Sequence, residues 1–440
     1  MNNNSNIIST NSEFPQTLIP ETQANYWTAD YQMNPSVCAL NATTFAVAWQ
    51  SAGQDGDGWG IFAAVFSNTG TTLTSEFCVN TNRTWHQDTP SICRLSATTF
   101  VVVWESSWQD GSYEGVYATI FDSSGNNLTK EFRVNTYTES YQYSPCVSAL
   151  NTTIFVVAWI STGQDGSGEG VYAKVFNSTG FNLTNDFRVN TYTTSHQKSP
   201  SVCTLNATAF IVAWDSNGQD GSSEGVYATV FDSTGSNLTQ EFRVNTYTAN
   251  RQVTPSVSAL SNKTFVIAWD SYDQGGSGWG IYATVFDSKG ARLTNEIRVN
   301  SKKSTIQESL SVCALSATTF VVTWIGLGQG GGDVDVYTTV FSRKGTRLMS
   351  EFCVNTYRTQ DQSSPSICAL NATIILVAWE SWEQDGDCEG VFFKGFRMPA
   401  YGEIISIDIG LIVLLVIIVV GVSLLAVIIF RRKPKKDFSI

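Results

Sequence analysis

A tryptophan recurs every 55 residues through most of this 440-residue chain, and this fixed spacing constrains the fold more than any other feature. The spacing holds for seven successive tryptophans: Trp49, Trp104, Trp159, Trp214, Trp269, Trp324 and Trp379. Each one ends a segment of the type F-V-V-A-W. Similar segments of the types Q-D-G-S-x-E-G-V-Y-A-T-V-F and E-F-R-V-N-T-Y-T follow it. A long fixed period of this kind is typical of solenoids, propellers and other repeat folds.

Each repeat contains four short runs rich in β-branched and aromatic residues, which predict four strands, a to d. In the third repeat these strands are predicted at 146–150, 154–161, 170–177 and 186–190. Strand b of this repeat carries Phe155, Val157 and Trp159 on one face and Val156 and Ala158 on the other. Both faces are apolar and must be covered, which a blade packed between two other blades achieves.

The two ends of the repeat region are complementary. The seventh repeat stops after strand c, near Phe396, whereas an unpaired segment of the strand-d type precedes the first repeat. Residues 21–25 lie 55 positions before 76–80, and residues 11–14 also resemble the start of such a strand. One of these segments is expected to complete the last blade and close the ring, which removes exposed edges. We therefore predict an all-β, seven-bladed β-propeller over 13–397, with an open β-solenoid as the alternative.

The C-terminal region predicts a single membrane anchor. Residues 409–430 carry no charge, and at about 1.5 Å per residue such a helix is long enough to span a bilayer. The sequence therefore predicts a flexible leader at 1–12, a juxtamembrane linker at 398–406, a transmembrane α-helix at 407–430 and a tail at 431–440. Because the tail is basic, it is expected in the cytoplasm, with the propeller outside the cell or in a lumen of a plasma or other membrane.

Two observations bear on this topology in opposite directions. Residues 1–20 contain no apolar core of a signal peptide, and a span near the C-terminus also fits a tail anchor on a cytosolic scaffold for protein–protein interaction. Ten N-x-S/T sequons favour the exterior and predict a glycoprotein. They begin at Asn41, Asn82, Asn127, Asn151, Asn177, Asn182, Asn206, Asn237, Asn262 and Asn371. All except Asn82 are predicted on a–b or c–d loops, the face from which the chain leaves toward the membrane.

Charge and composition exclude several function classes. The net charge of −12 makes nucleic acid an unexpected partner, because phosphate binding needs a basic surface. With only two histidines, His86 and His196, a His-based triad or a multi-His metal site is not expected. The acidic positions mostly follow the repeat, so a glycosidase-like enzyme is the less favoured alternative to a binding protein.

Five of the nine cysteines occupy one column, by which we mean seven equivalent positions spaced 55 residues apart. These cysteines are Cys38, Cys93, Cys203, Cys313 and Cys368, and Ser148 and Ser258 complete the column. Exchange between cysteine and serine predicts a small buried residue where the seven inner strands converge. Free thiols are expected, since equivalent positions in neighbouring blades are too far apart for a disulfide.

The predicted binding surface is the distal face, formed by the b–c loops (162–169 in the third repeat) and the d–a loops (191–200). Two glutamine columns on it, which begin at Gln54 and Gln32, are predicted to brace the loops. Aromatic residues that break the repeat are the candidate ligand contacts, with packing against a neighbouring loop as the alternative. They are Trp59, Trp108, Tyr113, Tyr272, Trp279 and Trp382 on b–c loops and Trp85 on a d–a loop.

Carboxylates on the same loops raise the question of calcium, which takes six to eight oxygen ligands. Asp55, Asp57, Asp385 and Asp387 are weak candidates, and a solvated acidic rim is the alternative. No other cofactor is expected.

The stretches 155–173 and 241–248 resemble tandem repeats of large bacterial secreted and surface proteins, often adhesin-like. The architecture is similar to the FG-GAP propeller of integrin alpha chains. This resemblance implies a membrane-anchored, cell-surface binding or adhesion module for a protein or glycan, without a defined activity. The calcium nonapeptides of toxin-type repeats and the integrin-type calcium loop have no counterpart in this sequence.

Overall fold

The computed structural model describes residues 14–276, 278–302, 306–327 and 333–399. Within these ranges the chain forms seven antiparallel sheets of four strands each, which confirms the predicted seven-bladed propeller. The predicted leader, transmembrane helix and tail lie outside the described residues, as does the linker beyond residue 399. No helix in the described ranges is long and apolar enough to cross a bilayer.

The strands of each blade run in chain order from the axis outward. The a strands are β2 (Gln32–Ala39), β6 (Gln87–Ser96), β10 (Gln142–Asn151), β14 (Gln197–Asn206), β18 (Gln252–Ser261), β22 (Gln307–Ser316) and β26 (Gln362–Asn371). The b strands are β3 (Thr44–Ala52), β7 (Thr99–Ser107), β11 (Ile154–Thr162), β15 (Ala209–Asn217), β19 (Thr264–Tyr272), β23 (Thr319–Leu327) and β27 (Ile374–Trp382).

The c strands are β4 (Trp59–Ser67), β8 (Glu114–Asp122), β12 (Glu169–Asn177), β16 (Glu224–Asp232), β20 (Trp279–Asp287), β24 (Val334–Ser342) and β28 (Glu389–Arg397). The d strands are β5 (Thr72–Cys78), β9 (Phe132–Arg133), β13 (Phe187–Arg188), β17 (Phe242–Arg243), β21 (Ile297–Arg298), β25 (Phe352–Cys353) and, in blade seven, β1 (Gln16–Gln23).

Two strand types differ in length from their predictions. Strand a of blade three begins at Gln142, four residues earlier than predicted, because a bulge between Tyr143 and Cys146 interrupts the ladder without ending it. Pro145 hides this bulged strand from a simple search for apolar alternation. Strand d of the same blade is only Phe187–Arg188. Beside it, Asp186 binds Thr136 of the preceding blade, whereas Val189 and Asn190 bond to Val171 of strand c outside the regular ladder.

The blades pack by placing large side chains against small ones. Trp104 is fully buried, and its core cluster contains Ala46, Ala48 and Ala63 of the preceding blade. The same arrangement places Trp214 in a cluster with alanines of blade three. Both faces of strand b are therefore buried as predicted, with a large face and a small face that interlock around the ring.

Each inner strand has a free edge toward the axis, and side chains of the neighbouring blade accept hydrogen bonds from the N–H groups of that edge. Ala149 N donates to Cys93 Sγ at 3.2 Å, and Thr204 N donates to Ser148 Oγ at 3.0 Å. The same bond is made across all seven blade junctions by Cys38, Cys93, Ser148, Cys203, Ser258, Cys313 and Cys368. Cysteine and serine exchange here because each is small and accepts one hydrogen bond.

All nine cysteines are free thiols in the structure. Burial raises the pKa of Cys93 and Cys203 to about 11, so these thiols stay protonated at neutral pH. Each therefore donates its own proton to a nearby carbonyl, as Cys93 does to Arg94 O at 3.5 Å.

An outer ring of carboxylates joins the blades a second time. Glu131 on the c–d segment of blade two accepts hydrogen bonds from Thr81 N at 2.6 Å and Thr81 Oγ1 at 2.9 Å, at the end of blade one. Charged acceptors make such bonds stronger than neutral ones. The seven clamping carboxylates are Glu21, Glu76, Glu131, Asp186, Glu241, Glu296 and Glu351.

The N-terminal strand closes the ring, and residues 21–25 take the predicted strand-d position. β1 pairs antiparallel with β28 from Gln16↔Arg397 to Gln23↔Phe392. Glu21 accepts a hydrogen bond from Thr356 N of blade six, and Asn25 accepts one from Val391 N at 2.8 Å. Of the alternative segment 11–14, only Phe14 is described, and it is exposed.

The closing strand is eight residues long, whereas the d strands of blades two to six span two residues. Its ladder has five residue pairs, against two in each of those blades, and the d strand of blade one, Thr72–Cys78, has four. It also carries Ile19, fully buried beside Phe45, Phe66 and Phe393, where blades one to five have threonine.

We predict that Ile19→Ala lowers the free energy of unfolding by about 2–4 kcal/mol, the usual cost of truncating a buried isoleucine. Limited proteolysis should then cleave the 14–30 segment faster. The control is Leu73→Ala in the equivalent strand of blade one, because Leu73 is 54% exposed. That substitution should change stability by less than about 0.5 kcal/mol. Equal effects of the two substitutions in chemical denaturation would contradict the closing role of β1.

Candidate ligand-binding face

The b–c and d–a loops meet at one end of every blade, as the meander predicts. In blade one, Gln32 at the start of strand a pairs with Ser51, and Ser51 pairs with Gly60 at the start of strand c. Ala52 N donates to Tyr31 O at 2.9 Å and so joins the two loops. The equivalent bond is present in the other six blades. These loops together form the distal face.

Polar side chains that never vary among the repeats hold this end of each blade. Asn80 is buried, accepts a hydrogen bond from Ile61 N at 2.7 Å and donates to Gln87 Oε1 at 3.0 Å. Gln87 donates onward to Thr84 O at 2.9 Å, which fixes the d–a loop. All seven blades make the bond from strand c to Asn25, Asn80, Asn135, Asn190, Asn245, Asn300 or Asn355.

The second glutamine column braces the b–c loops. Gln384 donates to Glu21 at 2.8 Å, and Gln109 and Gln274 donate to the clamping carboxylates of their own blades. Because both glutamine columns are used in this way, they belong to the scaffold of the face.

The four calcium candidates also bond to the scaffold. Asp55 accepts from Asn80 Nδ2 at 3.0 Å, and Asp57 accepts from Trp85 N at 3.1 Å. Asp385 accepts from Gln23 at 3.1 Å, and Asp387 accepts from Asp30 N at 3.2 Å. In the part of the chain that the structure describes, no group of three or more His, Cys, Asp or Glu side chains could hold a metal ion.

Five columns beside this invariant scaffold vary from blade to blade, and we call them the rim columns. They begin at Tyr31, Met33, Gln50, Ala52 and Trp59. The Tyr31 column reads Tyr, His, Tyr, His, Arg, Ile and Asp around the ring, although the adjoining Gln32 column is glutamine in every blade. Met33 pairs with Gln50, and Ala52 pairs with Trp59, so the rim columns form two rows at the distal end. The fold does not require a particular side chain in these columns, although the carboxylates of the Gln50 column also bind the next blade.

The predicted aromatic residues form three groups along the rim. Tyr31 contacts both Trp59 and Trp382, with ring centroids 6.2 and 6.1 Å away. Trp108 lies 5.0 Å from Tyr113, which stacks on Tyr141 at 4.3 Å. Tyr272 meets Trp279 edge-on at 5.2 Å. Trp85 is 57% exposed on its d–a loop beside the second group.

Sequence analysis missed two members of these groups, Tyr31 and Tyr141. Both lie in d–a loops directly before the invariant glutamine and link aromatic residues of neighbouring b–c loops. The signal that could have found them is the variation of their column next to one that never changes.

Packing between loops and exposure to solvent coexist at these positions. Trp108, Tyr113, Tyr141 and Tyr272 touch other aromatic rings, yet each remains between 38% and 50% exposed. Each ring thus packs against a neighbouring ring and leaves its outer face exposed to solvent. Aromatic residues at protein interfaces are placed in the same way.

A cavity of about 400 Å³ lies on the ring axis at the bottom of this face. Its wall repeats the segment Asn34-Pro35-Ser36 and its equivalents in five other blades. The bulged residue at the start of this segment has a positive φ in every blade, from 47° at Ser364 to 54° at Ser309. Backbone in this conformation turns its N–H away from the ladder, which frees it to bond elsewhere.

Carboxylates that follow the repeated tryptophan accept several of these N–H groups. Glu105 accepts from Ser144 N at 2.7 Å, and Asp270 accepts from Ser309 N at 3.2 Å. Burial raises the pKa of Glu105 to about 7 and that of Asp270 to about 8, although the hydrogen bonds favour the ionised forms. Asp270 is 3% exposed, so it gains a proton at a pH where a free aspartate is charged.

We predict that Asp270 makes stability fall as the pH rises. The folded chain binds this proton more tightly than the unfolded chain, so the free energy of unfolding declines between about pH 4 and the folded pKa of about 8. Denaturant titrations at pH 5 and pH 8 should show that Asp270→Asn reduces this decline by roughly 1 kcal/mol or more. Asparagine keeps the acceptor for Ser309 N. An unchanged slope in the variant would show that Asp270 ionises freely.

Charged side chains concentrate on the rim between blades three and five. Glu169 pairs with His196 and, at 3.2 Å, with Lys198. Arg251 Nε lies 3.0 Å from Glu224, and its guanidinium carbon lies 5.7 Å from the centre of the Trp279 ring. This stretch of the rim therefore satisfies its own charges with partners from adjoining blades.

The sequons occupy turns. Asn41, Asn151 and Asn371 each accept hydrogen bonds from the N–H and hydroxyl of the threonine two residues later. Asn82, Asn177 and Asn206 make the same turn, whereas Asn182 donates to Thr184 O. Asn127 and Asn237 lie in c–d connections, and Asn262 lies in an a–b turn. Turn chemistry alone therefore explains asparagine and threonine at six of the ten positions.

Comparison with known proteins shows the fold alone. No protein-family model and no curated protein matches the chain in sequence. A protein of unknown function from Dyadobacter fermentans shares the architecture with a TM-score of 0.50 and 8% identity, over 87% of this chain and 99% of that one. The β-propeller domain of the Trilobed protease from Pyrococcus furiosus is less similar, with a TM-score of 0.46 and 7% identity over 87% of this chain and 100% of that one. Pyrococcus horikoshii acylaminoacyl peptidase has a TM-score of 0.45 and 9% identity over 84% of this chain and 52% of that one.

Proposed function

We propose that this chain is a membrane-anchored binding module that presents its distal face to a protein or glycan outside the cell. The observation that carries the proposal is the contrast between an invariant scaffold and the varying rim columns beside it. Repeated scaffold bonds fix the loops in every blade, while aromatic and charged side chains differ from position to position along the rim. Such a surface offers rigid anchors at low entropic cost, as binding interfaces do.

A binding function also suits the carboxylates around the axis. Glu105, Asp215, Asp270 and Glu380 each accept a backbone N–H from the next blade, which gives them a structural explanation. Catalytic carboxylates of glycosidases instead face a shared substrate position. These contacts support a binding module over an enzyme.

The proposed location rests on the sequence outside the described residues. The uncharged stretch 409–430, followed at once by Arg431, Arg432 and Lys433, supports an anchor with its tail in the cytoplasm. The sequons add support, although six of them also serve as turns.

We predict that glycosidase treatment increases the gel mobility of the full chain expressed in eukaryotic cells. Asn151→Asp and Asn371→Asp should each reduce that shift, because aspartate keeps the turn acceptor and cannot carry the glycan. Thr153→Ser preserves the sequon and is the matched control. In sealed vesicles only the C-terminal tail should be digested from the cytosolic side. Digestion of the propeller from that side, without a glycosidase shift, would instead establish a cytosolic tail-anchored scaffold.

We predict that a ligand found by screening protein and glycan arrays with the displayed full chain depends on one of the three aromatic groups. Trp382→Thr, Trp108→Gly and Tyr272→Thr each insert a residue found at the same position of another repeat. At least one should weaken binding tenfold or more, or about 1.4 kcal/mol. The control is Phe181→Ser, because Phe181 is 65% exposed on a c–d loop of the opposite face. Binding that responds only to Phe181→Ser would refute the proposed face.

A further inference from the structure

Exposed aromatic residues gather on the distal face where blade two meets its neighbours. We call Trp85, Trp108, Tyr113 and Tyr141 the blade-two patch; they are 57%, 50%, 42% and 40% exposed. Around the rim, Trp108 contacts Tyr113, and Tyr113 contacts Tyr141. Trp85 lies on the loop that pairs with theirs, because Ser107 N, directly before Trp108, donates to His86 O, directly after Trp85, at 2.8 Å.

Trp85 and Trp108 both have a left-handed backbone conformation, which suits smaller residues better than tryptophan. Trp85 has a φ of 66° and Trp108 a φ of 61°. Gly53, Gly163 and Gly218 stand at the position of Trp108 in other blades, and Ser140 and Ser195 stand at that of Trp85. A bulky residue in the left-handed region is strained. The backbone conformation therefore disfavours these two indoles, which favours a use for them at the surface.

The groups around the blade-two patch are predominantly acidic. Asp57 accepts the N–H of Trp85, and Glu114 follows Tyr113 directly and pairs across from Ser107. Asp88 stands opposite Glu105 across the first two strands of the blade, and Glu105 already binds Ser144 N at the axis. After burial, repulsion by Glu114 is the further cause that raises the pKa of Asp88, to about 6. Arg83 and His86 are the basic residues of the adjoining loop.

Blade five also combines an indole of the rim with a neighbouring carboxylate, and there the two bind a cation. There Arg251, supplied by the chain itself, lies over the Trp279 ring and pairs with Glu224 at 3.0 Å. A guanidinium is thus bound between an indole and a carboxylate of the rim. Within the described ranges, no lysine or arginine of the chain lies over the four rings of the blade-two patch.

We propose that the blade-two patch binds a lysine- or arginine-rich segment of a protein partner. The inference rests on the proposed binding function and specifies its site and ligand chemistry. The indole and phenol faces attract a cation, and the neighbouring carboxylates accept its hydrogen bonds and relieve their mutual repulsion. A neutral sugar would also stack on these rings, but ionised carboxylates offer only acceptors to its hydroxyls and gain no charge neutralisation.

The test uses the purified full chain in detergent and a labelled octa-arginine peptide, with the neutral octa-citrulline peptide for comparison. Trp85→Ser and Trp108→Gly are combined in one variant, because each inserts a residue found at the same position of another repeat and leaves every charge in place. We expect the variant to bind octa-arginine at least tenfold more weakly, with an unfolding temperature equal to or above that of the wild type. Tyr272→Thr is the control and should stay within twofold of the wild type.

Three outcomes would overturn the proposal. Equal affinity of the double variant and the wild type would mean that octa-arginine responds only to the net negative charge. Equal affinity for octa-citrulline would exclude cation recognition. An oligosaccharide whose binding is lost in the double variant would make the patch a glycan site and leave the proposed function standing. The proposed function itself fails separately, if no array ligand responds to any distal-face variant.

Discussion

The free edges of seven inner strands impose the constraint on which the rest of this structure depends. An inner strand pairs on one side only, so its remaining N–H groups face the axis and need partners. Ser and Cys side chains of the adjoining blade supply them, as Ser36 does for Ile92 N at 3.2 Å. Each blade completes the inner edge of the next, including the junction at which Val37 N of blade one donates to Ser366 Oγ of blade seven at 3.1 Å. The N-terminal strand completes blade seven on its outer side.

Ring closure also allows a strict repeat to coexist with a distal end that varies from blade to blade. The buried tryptophans, the Ser and Cys positions, the clamping carboxylates and the asparagines that bind strand c each do the same task in every blade. The columns that begin at Tyr31, Met33, Ala52 and Trp59 have no such task, whereas the Gln50 column also carries acceptors for the next blade. Binding specificity can then be altered on the rim without disturbing the core, in the way that loops on a rigid scaffold carry function in other folds.

The tryptophan spacing was sufficient to predict the blade number and the four strands, since these follow from local pattern and period. For the closing segment it left two candidates, and the structure places residues 21–25 in the last blade. The bulge at Ser144-Pro145 was not predicted, because it depends on a hydrogen bond from Ser144 N to Glu105 of the preceding blade. Nothing in the sequence pattern indicated how short the d strands are. Of the site, the exposed tryptophans were identified from sequence. Tyr31 and Tyr141 were not, because their contacts join loops of different blades. The left-handed backbone of Trp85 and Trp108 has no sequence signal beyond their replacement by serine and glycine elsewhere.

The most direct measurement is the unfolding temperature of a full chain in which the residues of the Tyr31, Met33, Ala52 and Trp59 columns are moved one blade forward around the ring. Composition and net charge stay the same. A midpoint within a few degrees of the wild type would show that the positions left in place hold the ring. A chain that fails to fold, or that unfolds far earlier, would show that the rim columns are part of what stabilises the propeller.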